Sequence, residues 1–314
     1  MLPTRSLMFV PGHRKRMVER ALGLGEFEPT DLDLAILDLE DGVPPAAKAD
    51  ARAIISSALA AARHERPARF VRVNRGPAER DADLAGIVTA GLDGVVAPKV
   101  DEPAELAALG EALEAAERAA GLPARVPVIA SIESARGLTE ARAIAESSER
   151  VVALLFGAED FARDLSLPSQ REGEARDLLY ARSAVVVAAV AARRLAFDGI
   201  WPDVRDIDGL RRDAIIGRRL GFHGKSVVHP DHVATVNEVF GPSPDDTERA
   251  RRIVEAFEGA RAAGEGAVLF EGSMLDEPIV ERARRTLELA RAIAGRKRTP
   301  PVERPAALEG KRLK

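Results

Sequence analysis

The chain has 314 residues and a formal net charge of −4, with 31% charged and 46% hydrophobic residues. That balance excludes a disordered chain and argues against nucleic-acid binding by bulk electrostatics. Cysteine is absent, which rules out disulfides, thiolate metal sites and cysteine nucleophiles, and 4% aromatics leave few stacking platforms for bases. No apolar run approaches the roughly 20 residues of a membrane span, and Met1 to Val10 lack a signal peptide's basic region and apolar core. The expectation is a cytoplasmic protein with no nucleic-acid or membrane partner, acting on a small anion.

Apolar runs of strand length lie at Ser6–Val10, Leu34–Leu39, Arg69–Asn74, Gly94–Pro98, Val126–Ile132, Val151–Phe156, Ala196–Trp201 and Lys225–Val228. Longer amphipathic stretches alternate with them near 14–24, 46–62, 78–90, 101–120, 134–147, 173–194, 206–219 and 230–239. Short Val- and Ile-rich runs bounded by Gly or Pro suit parallel strands buried on both faces. Eight strand–helix units within residues 1–240 predict a (β/α)8 barrel. After Phe240 the breaker Gly241-Pro-Ser-Pro244 ends the pattern. A long helix near 244–264 follows, then a loop holding Gly264, Gly266 and Gly272, then a helix near 279–295. Residues 241–295 thus read as a helical extension, and residues 296–314 as a basic, Pro-containing disordered tail.

A barrel's active site lies at the C-terminal ends of its strands, so the polar residues that follow each run matter most. These are Asp38-Leu39-Glu40-Asp41, Arg72 and Asn74, Pro98-Lys99, Glu133, Gly157-Ala158-Glu159-Asp160, Asp203 and Arg205, and His229. Together they predict one polar rim suited to an anionic substrate and a metal ion. Glu133 and Asp160 are 27 residues apart, one strand–helix unit, which puts them on adjacent strands. Two such carboxylates can share one Mg2+ whose octahedron water and substrate oxygens complete; the other open reading is that each caps a helix.

Arg72 sits within an apolar strand, where an unpaired charge is costly. It either grips a substrate carboxylate in a two-point contact or pairs with Glu40 or Asp41. Lys99 either forms a Schiff base or pairs with a carboxylate. The basic run His13-Arg14-Lys15-Arg16 is open between phosphate binding at a helix start and a solvated face. His229-Pro230 reads as a structural turn, and no Walker A, G-x-G-x-x-G or G-x-S-x-G sequence occurs.

Several segments occur in an order that carries a resemblance. They are Arg5-Ser-Leu-Met-Phe-Val-Pro-Gly12, Leu37-Asp-Leu-Glu-Asp41, Val71-Arg-Val-Asn74, Pro98-Lys99, Ile132-Glu-Ser-Ala-Arg-Gly137, Phe156-Gly-Ala-Glu-Asp160, Gly221-Phe-His-Gly-Lys-Ser226 with His229-Pro230, and Gly272-Ser-Met-Leu-Asp-Glu-Pro278. Over residues 4–295 the chain resembles the citrate lyase β-subunit-like proteins and malyl-CoA lyases of the HpcH/HpaI aldolase superfamily. The resemblance implies a Mg2+-dependent (Mn2+ as a substitute) carbon–carbon lyase on a (β/α)8 barrel, assembled as a homotrimer or hexamer. Such an enzyme cleaves or forms a short 3-hydroxy-carboxyacyl-CoA, such as malyl-CoA or citramalyl-CoA, by way of a thioester enolate, and its partners are an acyl-CoA and a 2-oxoacid. The alternatives within the same resemblance are a malyl-CoA thioesterase and a citrate lyase β subunit that works on a citryl thioester within a complex.

Carried over motif by motif, the resemblance makes Glu133 and Asp160 the metal ligands. Arg72 becomes the holder of the 2-oxoacid carboxylate, with Glu133, Lys99, Glu40 and Asp41 beside the substrate. Asp276 becomes the acid that a neighbouring subunit's extension contributes, and Phe9, Arg14 and Arg16 lie near the CoA moiety. Two departures stand out: the first helix–strand connection, Gly25–Asp33, is longer and more acidic than the pattern, and Trp201-Pro-Asp-Val-Arg205 replaces its Tyr-Thr/Ser-Asp segment.

Overall fold

The computed structural model describes residues 4–28, 30–62, 67–123, 125–168, 175–262 and 268–296. Its barrel elements are β1 (Ser6–Pro11), α1 (Lys15–Leu22), β2 (Leu34–Asp38), α2 (Lys48–Ala61), β3 (Ala68–Arg72), α3 (Pro77–Ile87), β4 (Gly94–Ala97), α4 (Pro103–Ala120), β5 (Val128–Ile132), α5 (Ala135–Thr139), α6 (Ala141–Glu146), β6 (Val151–Phe156), α7 (Ala158–Asp164), α8 (Leu179–Ala191), β7 (Leu195–Asp198), α9 (Ile207–Leu220), β8 (Gly224–Val227) and α10 (His232–Phe240). The extension comprises α11 (Pro244–Ala262), β9 (Val268–Phe270), β10 (Ser273–Leu275) and α12 (Glu277–Arg296). Strands β1 to β8 pair in sequence order, all parallel, and β8 returns to β1 to close the barrel. No helix among the described residues is long and apolar enough to cross a membrane.

Strand side chains alternate between two cores, as a two-residue period requires. Leu34 and Ile36 join Leu7, Phe70, Val96, Ile129, Ala153, Leu155 and Phe197 in a plug inside the barrel. Their neighbours Ala35 and Leu37 face outward, into the larger core between strands and helices. Burial on both faces explains why these strands read as continuous apolar runs. It also places the site. Continuing each inward column by two residues leads from Ile36 to Asp38, from Phe70 to Arg72 and from Ile129 through Ser131 to Glu133, and all four polar residues line one cavity at the strand ends.

Helix ends follow local chemistry. Pro77 and Pro103 occupy first-turn positions of α3 and α4, where a missing N–H costs nothing. Gly121 (φ 64°) and Gly221 (φ 106°) end α4 and α9 in the left-handed region, as helix stops commonly do. The stretch near 134–147, expected as one helix, is two. Thr139 Oγ1 donates to the Arg136 carbonyl at 2.8 Å, a local bond that competes with helix propagation, and α6 restarts beyond Glu140. Helix α7 between β6 and α8 and the β9–β10 hairpin were also unforeseen. The hairpin turns at Glu271 (φ 48°) and Gly272 (φ 80°), two positive-φ positions that fit a tight two-residue turn. Gly264, Gly266 and the tail beyond Arg296 lie outside the described residues.

The extension has its own small core of Ala250, Ile253, Leu275, Val280 and Ala283. Under the β7–β8 side of the barrel lies a buried ionic quartet. Lys225 Nζ donates to Asp198 (2.9 Å), and its ammonium sits 2.6 Å from an oxygen of Asp213. Arg182 spans the same two acids from α8, at 2.6 and 2.9 Å. Each of the four is at most 2% exposed, so the two positive and two negative charges must neutralise one another where water cannot.

Candidate active site at the barrel mouth

At the C-terminal ends of the strands a cavity of about 330 Å3 is lined by Asp38, Arg72, Ser131, Glu133, Glu159, Asp160 and Ser226, with Phe9, Leu155, Phe156, Ile200 and Val228 among its apolar walls. Asp38 and Arg72 are direct partners in the β2–β3 register. Arg72 Nε and Nη2 each donate to an Asp38 carboxylate oxygen at 2.7 Å, and Nη1 lies 3.2 Å from Glu40. Asp38 is fixed in turn by the amides of Glu40 (2.9 Å) and Gly42 (2.8 Å). The guanidinium also stacks on Phe9, 4.9 Å from the ring centre. Two of its five N–H donors are bonded to Asp38 and Nη1 faces Glu40 as an ion pair, which leaves N–H groups on the terminal nitrogens for a further anion. The two readings of Arg72 are therefore compatible. Its structural partner is chiefly Asp38, a rim residue that the sequence does not pair with it, with Glu40 second.

Lys99 is cationic and paired. Burial works against its charge, but hydrogen bonds to Asp41 and Glu40 outweigh this and raise its pKa. Its Nζ donates to Glu40 at 2.6 Å and to Asp41 in a short contact, with Asp160 at 4.0 Å. An ammonium held this way is a poor nucleophile, so the structure favours the pairing over the Schiff base. Lys99 itself takes a positive φ of 51°, an uncommon conformation at a strand end beside a polar site.

Glu133 is 6% exposed. Its cap reading fails, because Ser134 caps α5, with its Oγ accepting from the Gly137 amide at 2.9 Å. Burial first, and then proton sharing with Asp160, push the Glu133 carboxyl up to about 7, against the opposing pull of Arg72. Gly157 makes room for it: a Cβ there would stand 2.4 Å from Glu133 Cγ. Asp160 lies in the first turn of α7, and its Oδ1 pairs with Arg163 at 2.7 Å.

Two adjacent carboxylates that repel each other when both are ionised, beside an open cavity, are a donor set for one oxygen-seeking divalent cation. Among the described residues no group of three His, Cys, Asp or Glu side chains is arranged to hold a metal. An ion here would take two protein oxygen ligands and leave its other positions for substrate and water.

Of the residues singled out from sequence, the fold brings Phe9, Arg72, Glu133 and Asp160 to the cavity, with Glu40, Asp41 and Lys99 linked behind them. Three lie elsewhere in the single chain. Arg14 is at the exposed start of α1. Arg16 pairs with Glu26 at 3.4 Å and stacks on Phe27. Asp276 is exposed, its Oδ1 accepting from the Ile279 amide at 3.1 Å. Besides the pairing of Asp38 with Arg72, the sequence does not reveal the support for Asn74, whose Nδ2 donates to Asp83 (2.7 Å) and to the Leu39 carbonyl (3.0 Å). The β2–β3 register that sets Asp38 opposite Arg72 has no local signal in the sequence. His229 accepts from the Asp231 amide at 3.3 Å within a turn, as expected.

A sequence profile of the HpcH/HpaI aldolase/citrate lyase family matches residues 5–230. Citrate lyase subunit beta of Haemophilus influenzae is 34% identical over 290 residues, which cover 92% of this chain and 97% of that one. The mitochondrial citramalyl-CoA lyase of Homo sapiens is 32% identical over 303 residues, covering 93% and 87%. Among solved structures, the protein CitE of Mycobacterium tuberculosis in complex with magnesium, acetoacetate and coenzyme A matches with a TM-score of 0.72 at 30% identity, covering 92% of this chain and 98% of that one.

Proposed function

The chain belongs to the HpcH/HpaI aldolase/citrate lyase family, and from that premise we propose that it is a Mg2+-dependent carbon–carbon lyase of short 3-hydroxy-carboxyacyl-CoA thioesters such as malyl-CoA or citramalyl-CoA. The observation that carries this reading is the meeting of Glu133, Asp160 and Arg72 in one cavity at the strand ends. The named partners of similar proteins support it: a citramalyl-CoA substrate for one, magnesium and coenzyme A for another.

Glu133 and Asp160 would hold the ion, which when bound acts as a Lewis acid toward a substrate carbonyl. The N–H groups of Arg72 not bonded to Asp38 would take the carboxylate of the 2-oxoacid half, and Asp38, itself pinned by two backbone amides, keeps that guanidinium aimed. The Phe9 ring beneath it and the Leu155 wall limit water at the reacting carbons. In our reading a neighbouring copy of the chain lays its extension over the mouth and contributes Asp276, which takes the hydroxyl proton on cleavage and returns it on condensation. That reading makes the enzyme a cytoplasmic homo-oligomer, trimer or hexamer, with Phe9, Arg14 and Arg16 toward the CoA moiety.

The test is a Mg2+-dependent assay of the purified chain alone, following 2-oxoacid and free thiol together. A 2-oxoacid without free thiol is expected. Free thiol with intact malate or citramalate would make the protein a thioester hydrolase on the same site and overturn the lyase reading.

A further inference from the structure

Helix α8 is apolar on both sides. Its inner face, with Val185, Val186 and Ala189, belongs to the large core, and its single charged residue, Arg182, is buried in the ionic quartet. Its outer face consists of Tyr180, Ser183, Ala184, Val187, Val190 and Ala191, at the three- and four-residue spacing of one helix side. Tyr180 is 81%, Val187 68% and Val190 57% exposed. Other barrel helices turn charge outward: α4 exposes Glu111, Glu114 and Arg118, and α9 exposes Asp208, Arg212, Arg218 and Arg219. A helix that is apolar all round is normally a buried one, and a contiguous apolar patch on a surface marks contact with another molecule. A lipid surface does not fit, because an interfacial helix needs a charged face opposite its apolar one, and the opposite face of α8 is packed on the barrel.

We infer that the outer face of α8 packs antiparallel on α8 of a second copy of the chain, across a two-fold axis near position 185. The helix is complementary to itself in that register. Ser183 of one copy lies opposite Val187 of the other, so a small side chain admits a larger one and the helices can approach closely. Tyr180 lies opposite Val190 and covers it. The same register brings Asp177 level with Arg193 of the other copy, once at each end. Both residues are exposed, and neither has an ion-pair partner among the described residues. One patch that serves both sides is what a two-fold contact requires. This contact is separate from the one proposed for the extension, since α8 lies between β6 and β7 and the extension begins beyond α10. If the extension closes rings of three copies, as the proposed function has it, the α8 contact joins two rings into a hexamer. The two-fold itself does not depend on the lyase reading.

The absence of cysteine makes the test direct, because a single introduced thiol can pair only with its own counterpart in another copy. At a rise of about 1.5 Å per residue, Ala184 is offset from its counterpart by about 3 Å along the helices and Ala191 by about 18 Å. A disulfide needs its Cα atoms within about 7 Å. Under mild oxidation Ala184→Cys should therefore give at least about tenfold more disulfide-linked dimer than Ala191→Cys. Val187→Glu sets two carboxylates into the contact and should weaken association at least about 100-fold, since like charges face each other there. Its mass by light scattering should fall to half the native value, with a native circular dichroism spectrum, because a change at so exposed a position is nearly neutral to the fold. A monomeric native chain, or a Val187→Glu variant of native mass, overturns the inference. So does an Ala184→Cys variant that forms no more dimer than Ala191→Cys, and a Val187→Glu mass of one third would then assign α8 to a head-to-tail contact instead. None of these readouts uses a substrate, so failure of this contact and failure of the lyase reading are told apart.

Discussion

Replacing Glu133 with Gln should abolish divalent-metal dependence and yet stabilise the metal-free protein at alkaline pH. The buried Glu133 carboxyl is pushed up to about 7 from an ordinary 4.5. Its folded-state pKa lies above the unfolded one, so the folded state pays for ionisation. That cost is absent below about pH 4.5, grows between pH 4.5 and 7, and is complete above 7. A difference near 2.5 pH units at about 1.4 kcal/mol each makes it about 3 kcal/mol. Gln keeps the volume, can donate to Asp160 as the protonated acid does, and does not ionise. In a chelator-containing buffer the Gln variant should therefore match the native chain near pH 4.5 and melt about 5 °C higher at pH 8. Saturating Mg2+ at pH 8 should erase or reverse the gap, because ligand at about 100 times Kd adds about 2.7 kcal/mol to the native chain alone. Thermal unfolding at the two pH values, with and without Mg2+, measures all of this. A Gln variant less stable than the native chain by the same margin at both pH values would refute the reasoning.

Three other perturbations bear on the same geometry. Gly157→Ala puts a methyl 2.4 Å from Glu133 Cγ; it should weaken divalent binding roughly tenfold or more by displacing the carboxylate, read by calorimetry, since a ligand must be held closely to be effective. Arg72→Lys loses the paired contact to Asp38 along with the two-point grip on substrate, and should raise KM for the 2-oxoacid about 10- to 100-fold in steady-state kinetics; unchanged KM would leave Arg72 structural only. Lys225→Met strips the quartet of one charge and leaves Asp198 and Asp213 with Arg182 alone. It should cost about 3–5 kcal/mol in denaturant unfolding, as broken buried ion pairs do.

Much of the barrel was legible because its strands are buried on both sides, so each appears as an apolar run between helical stretches. The polar mouth was legible for a related reason: Arg72 and Glu133 interrupt or end those runs, where an unexplained charge is conspicuous. What was not legible depended on distant pairing. Asp38 looks like any acid at a strand end until the β2–β3 register sets it opposite Arg72. The quartet joins Arg182, Asp198, Asp213 and Lys225 across two helices and two strands, and no local periodicity encodes that meeting. The β9–β10 hairpin is three residues per strand, too short for an alternating pattern to register. Asp276 marks another limit, since in one copy of the chain it caps α12 and does not line the cavity; its proposed role needs a second copy.

The most direct test is a Mn2+ titration of the native chain, Glu133→Gln and Asp160→Asn at pH 8, followed by electron paramagnetic resonance, in which Mn2+ stands in for Mg2+. The account predicts one binding site per chain in the native protein and its loss in both variants while each stays folded. Equal binding by all three proteins would contradict it and move the metal away from the barrel mouth.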